Sequence, residues 1–213
     1  MKNIAKETAN SLLKIEAVQF NFTQPFRWSS GWLSPIYCDC RLSLSYPEVR
    51  NFITESFAEI AKKYFREAEA IAGVATAGIP QAALIAQKLN LPMLYVRAKA
   101  KEHGKENLIE GKLKQGQKVI VIEDIISTGA SSLAAVKALQ EAGAEVAGVL
   151  AILTYQFEVA HQQFEQANIP LYTLSDYTTL LQEYAKQQDI SEKIMASLYE
   201  WRKNPQKWKS IEE

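Results

Sequence analysis

A single α/β domain built on a mostly parallel sheet is what this sequence predicts, and three observations point to it. Short, wholly apolar runs alternate with longer stretches whose apolar residues recur every three or four positions. The junctions carry strand-to-helix punctuation, with Pro80 suited to the first turn of a helix and Gly143 to a left-handed cap. The length of 213 residues suits one such domain with a sizeable core.

The elements follow in order. A helix is expected around residues 4–18, leading into NFTQPFRWSSGWLSPIYCD, an aromatic, turn-rich segment that breaks the alternation and reads as a small hood or flap. The expected organisation is therefore a hood unit over residues 1–45 and a core over 46–213. Val49, Phe52, Ile53, Phe57, Ile60, Ala61, Tyr64 and Phe65 write an amphipathic helix over about 47–65. AIAGVA is a buried strand ending at the turn Thr76-Ala77-Gly78, with a helix then running to Lys88. Residues 93–96 and 119–123 predict two more strands, and a helix from about Ser131 ends near Gly143. Residues 146–153 and 171–174 give two further strands, and the polar, helix-prone stretch from Asp176 gives one or two closing helices. In such a sheet, ligands bind at the carboxyl ends of the strands.

Composition narrows the partners. Lysine plus arginine and aspartate plus glutamate number 24 each, so net charge points to a small ligand and not to nucleic acid. The start lacks an uninterrupted apolar run, and no stretch approaches the roughly 18 apolar residues of a membrane helix. The expectation is a soluble, unexported, cytoplasmic protein. The only two cysteines, Cys38 and Cys40, lack the further ligands of a zinc site and read as reduced thiols on one face of an extended segment.

Three groups of residues carry chemistry. In VIVIEDIISTGASS, an apolar strand runs into Glu123 and Asp124 and then into small hydroxyl residues and a glycine. Backbone N–H groups at such a turn, with the helix dipole behind them, make a nest for a phosphate monoester. The two acids would repel that phosphate, yet they can accept hydrogen bonds from sugar hydroxyls and stabilise positive charge on a ribose carbon. A sugar phosphate satisfies both halves. The Walker and dinucleotide fingerprints are absent, and the plain alternative is an apolar strand followed by a capped helix. The second group, VRAKAKEHGKENLIEG, concentrates Arg97, Lys99, Lys101, His103 and Lys105 in a loop after a strand. Taken alone it is a solvated run of like charges; on the same sheet edge as the acids, it suits a lid over a pyrophosphate. The third is the tight turn Thr76-Ala77-Gly78, which is otherwise an ordinary connection.

These residues resemble a family. VIVIEDIISTGASS is similar to the phosphoribosylpyrophosphate (PRPP) signature of type I phosphoribosyltransferases, RAKAKEHG to the lid motif of orotate phosphoribosyltransferases, and SSGWLSPIY to their N-terminal base-site segment. The motifs occur in the expected order over nearly the whole chain. The resemblance implies the type I fold, with a mostly parallel central sheet flanked by helices and a small N-terminal hood. It also implies transfer of phosphoribosyl from PRPP to orotate with Mg²⁺, the metal held mainly through PRPP, in a homodimer whose lids are exchanged.

Residue by residue, the match assigns Lys101, Glu123 and Asp124 to catalysis. PRPP would be bound by Arg97, Lys101, His103, Glu123, Asp124, Ile125, Ile126, Ser127, Thr128, Gly129, Ala130 and Ser131. The pyrophosphate loop would be Thr76, Ala77 and Gly78, and orotate would lie against Ser34, Pro35, Ile36, Tyr37 and Ser127. The sequence departs from many members at Ala98, where lysine is common and the neighbouring Lys99 can supply the charge, and from some at Ala77 and at Tyr155, the last where they place an arginine for the base's carboxylate; Arg27 is a candidate substitute. A phosphoribosyltransferase for another base and a non-catalytic PRPP-sensing regulator remain as alternatives.

Overall fold

A computed structural model of the chain describes residues 2–28, 31–99 and 108–210. Helix α1 spans Lys2–Lys14, shorter than the sequence suggests. Glu16 takes a left-handed conformation (φ 56°), with Glu16 N–H bonded to Leu13 O and Ala17 N–H to Leu12 O. This is a Schellman-type stop, written with glutamate in place of the glycine that would have announced it. The chain then builds the hood from two small antiparallel pairs. Strand β1 (Val18–Phe20) pairs with β4 (Ile36–Cys38), and β2 (Phe26–Arg27) with β3 (Leu33–Ser34). A 3₁₀ turn at Cys40–Ser45 follows, capped by Asp39, whose carboxylate accepts from Arg41 N–H.

The core alternates as expected. Helix α2 (Pro47–Tyr64) starts on its proline, β5 (Ala70–Val74) is buried throughout, and α3 (Gly78–Leu89) stops on left-handed Asn90. Then come β6 (Met93–Val96), the short β7 (Ile109–Glu110), β8 (Lys118–Ile126) and α4 (Ala130–Glu141). The chain continues through β9 (Glu145–Thr154), α5 (Glu158–Gln166), β10 (Leu171–Asp176), α6 (Tyr177–Gln187) and α7 (Glu192–Lys203). The main sheet has the order β10-β9-β8-β5-β6-β7; every pairing is parallel except β6–β7. Among the described residues, no helix is long and apolar enough to cross a membrane.

Two elements of the core escape the sequence pattern. Helix α5 is mostly polar and anchors itself with only Ala160 and Phe164, too few apolar positions to register as a period. Strand β7 is two residues long, below any pattern's reach.

Strand alternation divides the core in two. Ile71, Ile120, Ile122, Leu150 and Ile152 face the layer formed with α1, α2, α6 and α7, whereas Ala72, Val119, Val121, Val149 and Ala151 face the layer of α4 and α5. The first layer extends under the hood through an aromatic cluster centred on Trp201 of α7. Its ring meets Trp28 and Tyr155 edge-on, each at 5.7 Å between centroids, and its indole N–H donates to Leu33 O at 3.0 Å. Trp201 is fully buried and ties the last helix to the hood. Trp201→Ala is expected to cost about 3–5 kcal/mol, read as a lower midpoint in urea denaturation; a midpoint within error of the parent would remove Trp201 from this role.

Candidate active site

Strand β8 carries the acids, and its ladder does not end on them. Pairing with β9 continues through Ile125 and Ile126, so the carboxyl groups sit within the strand and emerge on its two faces. This corrects the expectation of a strand ending at residue 123. The apolar residues around the acids bury enough surface to prolong the ladder through the polar pair.

Glu123 turns toward α4, where its Oε2 accepts hydrogen bonds from the hydroxyls of Ser131 (3.0 Å) and Ser132 (3.1 Å) and its Oε1 from Asp124 N–H (3.2 Å). Asp124 lies toward the hood layer, its Oδ1 accepting from Ile125 N–H at 2.8 Å. Burial is the main cause that raises both carboxyls, and the neighbouring Asp124 charge helps push Glu123 up to about 8. Such a pair resists full ionisation near neutral pH until a ligand supplies hydroxyl donors or positive charge.

Two helix N-termini close on these acids. Gly129, at φ +84°, caps α4, and a Cβ there would meet the Phe164 ring at 2.8 Å. Only glycine combines that conformation with so close an approach. The leading N–H groups of α4 have no acceptor within the helix and face outward as an anion-binding end. Gly78 begins α3, and a Cβ there would stand 2.3 Å from the Ile122 carbonyl oxygen. Its bare backbone lets the 76–78 turn lie against β8 directly before the acids. The result is a cavity of about 310 Å³ lined by residues 75–77, 123–125 and 127–131.

A second cavity, of about 460 Å³, adjoins the first and shares Ile125, Ser127 and Thr128 with it. Its walls are Trp28, Trp32, Tyr37 and Tyr155, with Arg27 and Cys38 at its border. Of the residues expected to border a base, Tyr37 and Ser127 line this cavity. Ser34, Pro35 and Ile36 are buried and do not line it. The Ser34 hydroxyl donates to Ile36 O (2.6 Å) and accepts from Ile36 N–H (3.2 Å), so it shapes the turn that presents Tyr37.

The expected phosphate loop is brought together, with one change: Ser131, which lines the first cavity, directs its hydroxyl to Glu123. Ile126 is buried beneath the loop, its carbonyl accepting from Tyr155 N–H. Arg97 is not among the residues lining either cavity; its guanidinium stands 3.7 Å from Glu110 at the sheet edge. Lys101 and His103 lie outside the described residues, and the exposed Ala98 and Lys99 precede them. Trp28, Trp32 and Thr128 as walls of the second cavity went unrecognised in the sequence, although the density of aromatics in the hood was a signal for the first two. Among the described residues, no group of three or more His, Cys, Asp or Glu side chains is arranged to cage a metal. A carboxylate pair beside a phosphate-sized cavity does suit Mg²⁺ carried in on a substrate's phosphates, with water completing its shell.

Known proteins resemble the chain in sequence and in fold. Residues 45–167 match the family described as the phosphoribosyl transferase domain. The chain is 54% identical to the orotate phosphoribosyltransferase of Cytophaga hutchinsonii over 207 residues, covering 97% of this chain and 99% of that protein. In three dimensions it is similar to an orotate phosphoribosyltransferase from Aeropyrum pernix, with TM-score 0.75 and 29% identity over 84% of this chain and 98% of that one. It is also similar to the UMP synthase of Leishmania donovani, with TM-score 0.78 and 27% identity over 92% of this chain and 42% of that one.

The raised carboxyl of Glu123 has a measurable signature. From an ordinary value of 4.5 to about 8, the folded protein holds a proton that the unfolded chain has released. That contribution to stability is complete below about pH 4.5 and is lost as pH rises through about 8. Urea denaturation of the ligand-free protein is expected to show stability declining across this window, and Glu123→Gln to flatten the decline. An unaltered slope in that variant would mean that Glu123 is ionised throughout.

Proposed function

The chain belongs to the orotate phosphoribosyltransferases of the phosphoribosyl transferase domain family, and from that membership we propose how its two joined cavities divide the substrates between them. As a pentosyltransferase it moves the 5-phosphoribosyl group of PRPP onto orotate, giving orotidine 5′-monophosphate and pyrophosphate. One observation carries the assignment of parts: an acid-bearing anion cavity and an aromatic-walled cavity share Ile125, Ser127 and Thr128 as a common floor. A nucleotide with its phosphoribose in the first and its base in the second would span them.

In this reading the α4 N-terminus and residues 127–131 hold the 5′-phosphate, and Glu123 and Asp124 accept from the ribose hydroxyls. Thr76, Ala77 and Gly78 direct N–H groups at the pyrophosphate. Trp28, Trp32 and Tyr37 stack on the base, and Arg27 is the one cation bordering its cavity among the described residues. The reaction is a displacement at the anomeric carbon through a ribosyl cation-like transition state. The buried acids stabilise the positive charge there, and Lys101, with Arg97 and His103 in the lid, balances the charge leaving on pyrophosphate. Mg²⁺, bound mainly through PRPP and with no protein ligand assigned to it, would supply charge neutralisation. No covalent nucleophile is needed; the lid's further task is to exclude water from PRPP.

Functionally, residues 1–45 are the hood over the base and 46–213 the phosphoribosyl half. The protein works in the cytoplasm on small molecules, as a homodimer whose lids reach into the neighbouring site. The cations of the lid motif, Arg97, Lys101 and His103, favour catalysis over a PRPP-sensing regulator, because neutralising a departing pyrophosphate is a task that only the reaction sets.

The deciding assay follows orotate depletion. Absorbance is expected to fall only with PRPP and Mg²⁺ both present, and no comparable turnover is expected with adenine, hypoxanthine or uracil. Turnover confined to another base would overturn the reading of the second cavity.

Lid exchange is tested by complementation. Lys101→Ala removes a donor aimed at developing negative charge, at a cost of about 3–4 kcal/mol, or roughly 10²–10³ in kcat. Asp124→Asn is expected to be impaired as well. If lids act in trans, mixing the two and allowing subunits to exchange yields heterodimers with one intact site, each recovering at most about half of a parent dimer's activity, or about a quarter for an equimolar mixture. No recovery after demonstrated exchange would assign Lys101 to its own subunit.

A further inference from the structure

The Cys-Asp-Cys stretch of the hood stands outside this chemistry. Cys38 ends β4 and Cys40 opens the 3₁₀ turn, and between them Asp39 pairs with Arg41 through contacts of 2.6 and 2.8 Å. The two sulfurs lie 3.6 Å apart, within contact, and they belong to the only cysteines of the chain. Cys38 is partly exposed and borders the aromatic cavity, whereas Cys40 is buried behind it. Hydrogen bonding to Cys38 and burial push the Cys40 thiol well up, and the charges of Asp124 and Asp39 add to the effect. Cys40 is thus the less reactive thiol, one that gives up its proton only as its sulfur bonds to an oxidised Cys38. An oxidant entering by the cavity meets Cys38 first, with a second thiol already in place behind it.

We propose that Cys38 and Cys40 are an oxidisable dithiol in the wall of the base cavity, closed to a disulfide by hydrogen peroxide with loss of affinity for the base. The Cys38 sulfur attacks one peroxide oxygen and the O–O bond breaks. Cys38 becomes a sulfenic acid, and the departing hydroxide takes the thiol proton as water. The Cys40 sulfur then attacks the Cys38 sulfur, the S–O bond breaks, and the second hydroxide leaves as water with the Cys40 proton. Two thiols lose two electrons and two protons, and one peroxide becomes two waters. Bond formation draws the sulfurs from 3.6 Å to about 2.05 Å. The movement acts on the end of β4, whose residues Tyr37 and Cys38 line the cavity while pairing in register with Gln19 and Val18. The inference rests on the proposed reading of that cavity as the base site.

The test uses the full chain, reduced and then exposed to hydrogen peroxide. Mass spectrometry of the alkylated protein is expected to show a peptide carrying both cysteines that has lost two hydrogens and takes no label. The KM for orotate is expected to rise about tenfold with the displaced wall, with the KM for PRPP little changed, and dithiothreitol to reverse both changes. Cys40→Ser, with Cys40→Ala as a second variant should a buried hydroxyl disturb folding, is expected to keep the reduced protein's kinetics. Neither variant should form the disulfide or show a reversible rise in KM. Failure of the disulfide to form, or a disulfide that leaves the orotate KM unchanged in an enzyme active when reduced, overturns the inference alone. A reduced protein that does not turn over orotate overturns the reading of the base cavity, and the inference with it.

Discussion

Two adjacent carboxyl groups on one buried strand cannot share a face, and most of the site is organised around that constraint. Glu123 faces α4 and is tethered by two serine hydroxyls; Asp124 faces the hood layer. Burial raises both, so the fold has placed acids where their ionised forms are costly. In the proposed reaction that cost is met by the ligand. Ribose hydroxyls donate to the acids and the ribosyl carbon acquires positive charge, so the environment that disfavours the empty ionised pair suits the occupied one.

The backbone around the pair is arranged for close approach. Gly78 lets the start of α3 lie on the Ile122 carbonyl, and Gly129 lets the cap of α4 lie on Phe164. Each helix brings its positive end to the carboxyl edge of the sheet, and an added methyl group would displace either one. Phe164 supports Gly129 from α5, a helix with only two buried anchors. A polar surface helix thereby contributes to the position of the phosphate nest.

The second cavity depends on a different layer. Trp201 joins Trp28, Tyr155, Phe157 and Tyr177 beneath the hood and reaches Leu33 with its indole N–H. Helix α1 is held to α6 through Asn10 and Glu183 and to β10 through the bond of Ser175 to Ala5 O. The short hood strands would be unstable alone. Packing on α7 holds them over the cavity.

Period and punctuation in the sequence determined the α/β class, the long α2, the limits of β6 and the location of the acid and hydroxyl cluster, because each is set by neighbours close along the chain. The Schellman stop at Glu16, the two-residue β7 and the polar α5 left no such local signal; long-range packing decided them. The sequence singled out Glu123, Asp124 and the 127–131 loop, which line one cavity, and Tyr37 and Ser127, which line the second. Tertiary structure alone decided that Glu123 and Asp124 diverge, that Ser131 is turned to Glu123, and that Ser34 and Ile36 lie behind the wall. It also brought Trp28 and Trp32 from the hood into one cavity with Tyr155, more than a hundred residues away in the chain. Side chains so distant in sequence meet only once the layers of the sheet have closed, and no local pattern records which of them will face the gap.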